Sequence, residues 1–179
     1  MADSTAASYL DEAFRAFRGY KRMADGALNQ LDDREFFHVP DTESNSVALI
    51  VKHMAGNLRS RWTDFYASDG EKPDRHRDTE FEKAEADTRE SLMELWESGW
   101  ATLFEIVDSM KPDDLTRTVT IRDEPHSVIK AVNRQLAHYA YHVGQIVFLA
   151  KHFAGERWQS LSIPRGQSEI FNAKMRGAR

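Results

Sequence analysis

Not one of the 179 residues is a cysteine, and that absence excludes disulfide bridges, thiolate metal sites and a cysteine nucleophile. It suits a reducing cytoplasm, which is the expected location. Positive charge is not in excess either. The 24 Lys and Arg stand against 29 Asp and Glu, giving a formal net charge of -5. The clustered basic face of a nucleic-acid binder is therefore not expected, nor is attraction to an acidic membrane surface. No stretch approaches the ~20 uninterrupted apolar residues of a membrane span. The opening Met-Ala-Asp-Ser-Thr lacks the basic segment and apolar run of a signal peptide. A glycine-rich phosphate loop, an identifiable Ser-His-Asp arrangement, internal repeats and low-complexity segments are missing as well.

What is present is 41% hydrophobic and 30% charged residues, a composition that predicts one soluble domain spanning residues 1–179. From Ser4 to about Leu31, Leu10, Phe14, Phe17, Ala24, Leu28 and Leu31 recur at three- and four-residue steps, which predicts an amphipathic helix. The stretch from Asp32 to Asp41 breaks that period. Ser44-Asn45-Ser46 then supplies capping oxygens for a second helix with Val47, Ile50, Met54, Leu58 or Asn57, Arg61 or Trp62, and Phe65 inward. Ser68 to about Asp87 is dense in mixed charge and punctuated by Gly70 and Pro73, and reads as a long solvated surface connection.

A third helix is predicted from about Thr88 to Met110, with Leu92, Leu95, Trp96, Trp100, Leu103, Val107 and Met110 inward and Gly99 as a close-packing site. Pro112 stops it. The alternating, β-branched run Thr116–Ile121, with Arg122–Pro125 as a turn, fits a small hairpin between the third and fourth helices. The fourth helix runs from about Val128 to Phe153, and a short C-terminal helix from Ser168 to Met175. Burying four apolar stripes at once gives an all-α, four-helix-bundle expectation. Trp62, Trp96 and Trp100 read as core.

The chemistry concentrates in Gln135-Leu-Ala-His138-Tyr-Ala-Tyr-His142-Val-Gly-Gln145. His138 and His142 are four apart, so they share a helix face about 6 Å apart along the axis. Two such imidazoles can converge on one ion, but with seven histidines in the chain one such pair is a weak signal. His53, beside the inward stripe of the second helix, strengthens it. Three imidazoles would leave a fourth position open for water or substrate. Asn57 and Gln145 are candidate pocket lining or support for the ligands, and Arg134 reads as solvated surface. His152 lies ~15 Å along the helix from His142 and cannot share the ion. His38, His76 and His126 fall in predicted loops and are expected to be exposed.

His53 in its His-x-x-x-Asn-Leu context, together with His138-x-x-x-His142-x-Gly-Gln-Ile146, resembles the DinB-like superfamily across essentially the whole chain. Ser162-Ile-Pro-Arg-Gly-Gln-Ser168 and Phe171-Asn172 resemble a bacterial branch of it with no assigned reaction. The resemblance implies a four-helix bundle of the DinB-like type, often a homodimer, in which His53, His138 and His142 bind a divalent metal, commonly nickel or zinc. It also implies thiol chemistry. Characterised members include S-transferases that use bacillithiol and isomerases that use mycothiol, with the metal activating the cofactor thiol. No recognition motif for such a thiol is evident in this chain, and any thiolate must come from outside it.

Two functions of different class follow. One is a metal-dependent transferase that activates a low-molecular-weight thiol for attack on a small electrophilic substrate. The other is a non-catalytic, stress-associated protein whose ion is structural. From the residues alone, a homodimer interface would draw on aromatics such as Phe14, Phe17 and Trp158.

Overall fold

A computed structural model describes residues 2–177, with side chains placed from residue 5 onward. Six helices and a two-stranded antiparallel sheet account for its regular structure: α1 (Ala2–Leu28), α2 (Asp33–Phe37), α3 (Val47–Trp62), α4 (Arg89–Ser109), β1 (Thr118–Ile121), β2 (Glu124–Ser127), α5 (Val128–Ala154) and α6 (Ser168–Gly177). Among the described residues no helix is long and apolar enough to cross a membrane.

Local chemistry explains the boundaries. Ser46 caps α3 by accepting from the Leu49 N–H, and Ser127 caps α5 by accepting from that of Lys130. Thr88 and Ser91 cap α4 reciprocally. At the end of α5, Gly155 has φ of 53°, a left-handed turn that costs glycine little. The break expected after the first helix contains α2, because Asp32 and Glu35 form a reciprocal capping box and Phe36 is buried. Arg89 donates to the carbonyls of Leu28 and Leu31 at 2.8 and 2.6 Å, satisfying the frayed end of α1.

The core draws on α1, α3, α4 and α5, with Phe17, Trp62, Trp96, Trp100 and Tyr139 fully buried within it. The three tryptophans are core, as expected. α3 packs chiefly on α4 and α1 chiefly on α5, and the two pairs meet along α3 and α5. Gly99 permits the first pairing, since a Cβ there would lie 2.9 Å from Leu58 Cβ and 3.4 Å from the Ala55 carbonyl oxygen. Leu95, placed inward by spacing, is exposed because Trp96 next to it takes the core-facing position. Phe17 is no surface aromatic but fully buried, while Phe14 and Trp158 are half-buried against the core.

The hairpin pairs Val119 with His126 and Ile121 with Glu124. Pro125 lies in β2 rather than in the turn, where a two-stranded ribbon tolerates its missing N–H. The turn is Arg122-Asp123, with φ of 57° and 61°, the mirror-image geometry that suits the twist of the strands but strains non-glycine residues. Asp69 offsets that strain by accepting from both turn N–H groups at 2.9 and 2.8 Å. His126 is buried opposite Val119 rather than exposed, and burial lowers its imidazole pKa.

Replacing Gly99 with valine forces α3 and α4 apart and should destabilise the protein by about 1–3 kcal/mol. Urea denaturation measures this, and an unchanged midpoint would contradict the close approach.

Candidate metal centre

His53 stands on the inner side of α3, and His138 and His142 stand one turn apart on α5 where the two helix pairs meet. His138 Nε2 lies 3.3 Å from His53 Nε2 and 3.1 Å from His142 Nε2. One nitrogen from each ring lies within 4.8 Å of the other two, so the triad can hold a metal ion. His53 and His142 are buried and His138 is partly so. His152 is exposed farther along α5 and stays outside the group.

The outer ring nitrogens set the chemistry of the inner ones. His53 Nδ1 lies 2.8 Å from Glu80 Oε2. A carboxylate only accepts, so Nδ1 carries the hydrogen and Nε2 presents a lone pair. His142 Nδ1 donates to Gln145 Oε1 at 2.9 Å, which leaves its Nε2 bare in the same way. His138 Nδ1 is buried and has no partner among the described residues. At most one ring can resolve the crowding by placing a proton between two of the facing nitrogens, and the rest remain lone pair against lone pair. A cation resolves all three. Two imidazole nitrogens bound at ~2.1 Å around a tetrahedral ion would be roughly 3.4 Å apart, close to the spacings found, so the donor set fits a metal ion.

Burial lowers the His138 pKa to about 3, with further contributions from His142, His53, Arg75 and Arg61. Burial likewise lowers that of His142 to about 4, against the raising effect of its bond to Gln145. Both rings are therefore neutral at pH 7, the form a metal needs.

Glu80 comes from the segment that reads as solvated in the sequence. It is 7% exposed, and Arg75 clamps it with Nε on Oε1 and a terminal nitrogen on Oε2, both at 2.8 Å. Burial pushes the Glu80 carboxyl up, but the bonds from His53 and Arg75 outweigh it and hold it below the usual range. Gly56 makes the approach possible: a Cβ there would lie 2.8 Å from Glu80 Cδ. That glycine, three residues after His53 inside a helix, was the signal available in the sequence, because interior glycines often mark a close approach.

Asn57, a candidate for the pocket wall, does line a cavity of about 370 Å³ together with His53, Gln135 and His138. Its Oδ1 accepts from Gln135 at 2.6 Å and from the Tyr139 hydroxyl at 3.1 Å, and that hydroxyl accepts from Trp62 at 3.0 Å. This network fixes α3 against α5 beside the histidines. Gln145 supports His142 from the other side, and Arg134 is exposed at the cavity rim.

A family described as a protein of unknown function (DUF1572) matches residues 4–167. No curated protein matches the chain.

Two outcomes follow from this geometry. Gly56→Ala displaces Glu80 and should weaken zinc binding roughly 10–100-fold, the usual cost of losing a ligand's supporting partner; competition with a chromogenic chelator measures it, and unchanged affinity would rule out the Glu80 contact. In chelator-treated protein, His138 and His142 remain unprotonated in the fold while unfolded histidine titrates near 6.5. The unfolded state thus binds more protons below that pH, so stability is complete above about 6.5 and is lost as pH falls toward 4. Denaturation midpoints at pH 7.5 and 5 should show the drop, and a flat profile would contradict neutral burial.

Proposed function

Starting from the fact that the chain belongs to the DUF1572 family, we propose that it is a divalent-metal-binding protein of the DinB-like kind, acting as a metal-dependent transferase on a small thiol. In this reading α1, α3, α4 and α5 form a DinB-like four-helix bundle in a single domain. His53, His138 and His142 are the ligands, with nickel or zinc as the ion. The carrying observation is that three imidazole lone pairs converge at the wall of an open cavity, two of their rings lining it.

A divalent ion held there lowers the pKa of a coordinating thiol or water and polarises electrophiles. The protein's own part is to hold three imidazoles in register. Glu80, itself gripped by Arg75, keeps the His53 hydrogen on Nδ1, and Gln145 does the same for His142. The chain contains no cysteine, so the thiol is a diffusible small molecule that enters through the cavity. The reaction class is sulfur transfer to a small electrophile, or isomerisation through a thiol adduct.

The cavity favours this over a purely structural ion, because a structural site is normally closed by four protein ligands. A homodimer belongs to the same reading, supported by Tyr141 and Phe148, exposed seven residues apart on one face of α5.

Protein purified without an affinity tag should carry one nickel or zinc ion per chain by elemental analysis. His138→Ala should lose it and should reduce thiol-dependent turnover of a panel of electrophiles at least a hundredfold. Absence of a stoichiometric ion, or wild-type turnover in the variant, would reject the reading. A chelator-induced fall in melting temperature with no turnover on any thiol would favour the structural ion instead.

A further inference from the structure

The cavity beside the triad is chemically unusual. Among the described residues, the nine that line it are all polar, and five are arginines: Arg61, Arg75, Arg77, Arg122 and Arg134. Small-molecule pockets are ordinarily lined mostly by apolar side chains with a few polar groups, so this one is not shaped for a hydrophobic ligand. The protein as a whole carries a formal charge of -5, which makes the local concentration of guanidiniums stand out further.

The internal pairing is incomplete. Glu80 engages Arg75, and Glu71 engages Arg61 at 2.9 Å, Arg122 at 2.9 Å and Arg75 at 3.3 Å. Burial pushes the Glu71 carboxyl up, but Arg61 and Arg122 outweigh it and hold it down at about 2, so both carboxylates are charged. Five guanidiniums face Glu71 and Glu80 on the wall, with Asp78 beside Arg77 and Asp69 beside the Arg122 backbone, so positive charge remains in excess there. The side chains of Arg61 and Arg75 are buried against Glu71 and Glu80, and of their donors only Arg61 Nε lacks a partner among the described residues. The solvent-facing spare donors belong to the rim: Arg122 spends only Nε on Glu71, Arg134 makes no ion pair among the described residues, and Arg77 reaches only the fully exposed Asp78, at 3.7 Å.

These rim arginines are positioned. Asp69 and the Gly70 N–H, which donates to the Thr120 carbonyl at 2.8 Å, tie the charged segment to the hairpin that carries Arg122. Arg77 lies over the Phe81 ring, which in turn packs 4.7 Å from the His53 ring. Arg134 precedes His138 by one helical turn on the same face of α5.

We propose that the molecule bound at this centre is a small anion, a carboxylate- or phosphate-bearing compound whose oxyanion is gripped by Arg77, Arg122 and Arg134 while its other end faces His53 and His138. Planar guanidinium forks match the oxygens of either group in pairs. The direction of the reactive end rests on the metal-centre reading, whereas capture of the anion needs only the arginines. The ligand is thereby narrowed: an uncharged apolar electrophile does not fill this site by itself, and a thiol that works here carries its own acidic group.

Isothermal titration calorimetry of the full chain, with malonate and with inorganic phosphate as probes, tests this in zinc-loaded and in chelator-treated protein. At least one probe should bind in both forms, and tighter malonate binding assigns a carboxylate while tighter phosphate binding assigns a phosphate. Arg77→Ala/Arg134→Ala, two exposed positions, should weaken binding at least tenfold with zinc stoichiometry retained, and Arg77→Lys/Arg134→Lys should recover part of it. Binding of neither probe below about 10 mM, or equal binding by the alanine pair, overturns the inference. A chain that takes up no zinc yet binds the anion and loses it in the alanine pair upholds the inference while rejecting the metal centre.

Discussion

The hydrogen that His53 Nδ1 gives to Glu80 is the contact on which the rest of the site depends. It passes between two groups that are each more than nine-tenths buried, where an unpaired carboxylate would be far too costly to keep. The bond is sustained only because Arg75 neutralises the carboxylate, and Arg75 is there only because the segment after α3 folds back over that helix. In turn the bond decides which nitrogen of His53 faces α5. Had the hydrogen sat on Nε2, the three inner nitrogens would include a fixed donor and could not all turn lone pairs to one point. A segment that looks like connecting loop thus sets which ring nitrogen carries the hydrogen on a helix residue 27 positions earlier.

That dependence also shows what was legible in the sequence. Apolar periodicity located α1, α3, α4 and α5, with Ser46 marking the start of α3 and Gly155 the end of α5, but it carried the first helix to Leu31 and the second to Phe65, past the observed ends at Leu28 and Trp62. The histidine face on α5 was readable from helix geometry, its partnership with His53 followed from that residue's place beside the inward stripe of the second helix, and the resemblance pointed to the same three. What escaped was every feature whose cause is non-local. Charge density made residues 69–87 read as solvent-facing, since ion pairing across the fold leaves no periodic trace; Arg75 and Glu80 are buried because they satisfy each other and His53. His126 is buried because strand register places it opposite Val119, and Phe17 because Trp62 and Tyr139 close over it at 5.8 and 5.9 Å.

The two sides of the centre are built on opposite principles. Toward the core, Asn57, Gln135, Tyr139 and Trp62 are joined by hydrogen bonds through Asn57 Oδ1, Gln135 Nε2 and the Tyr139 hydroxyl, so that side is held in place from both helices. Toward solvent, guanidinium donors outnumber the carboxylates that could quench them. The polarity of the wall is therefore a residue of incomplete pairing rather than of exposure, since Arg61 and Arg75 are among the more deeply buried charged side chains of the protein.

The position of the triad at the seam between the α3/α4 pair and the α1/α5 pair has a mechanical consequence. Gly99 locks the first pair from within, and the seam is joined by the shared apolar core together with the Asn57–Gln135–Tyr139 network and the histidines. Sliding one pair along the other by a single helical turn would shift residues by ~5.4 Å, more than the 4.8 Å that spans the three nitrogens. The triad is thus a vernier on the seam. Whatever binds there senses the alignment of the two halves to a fraction of a turn, and its occupancy and the stiffness of the seam are one free energy read in two ways.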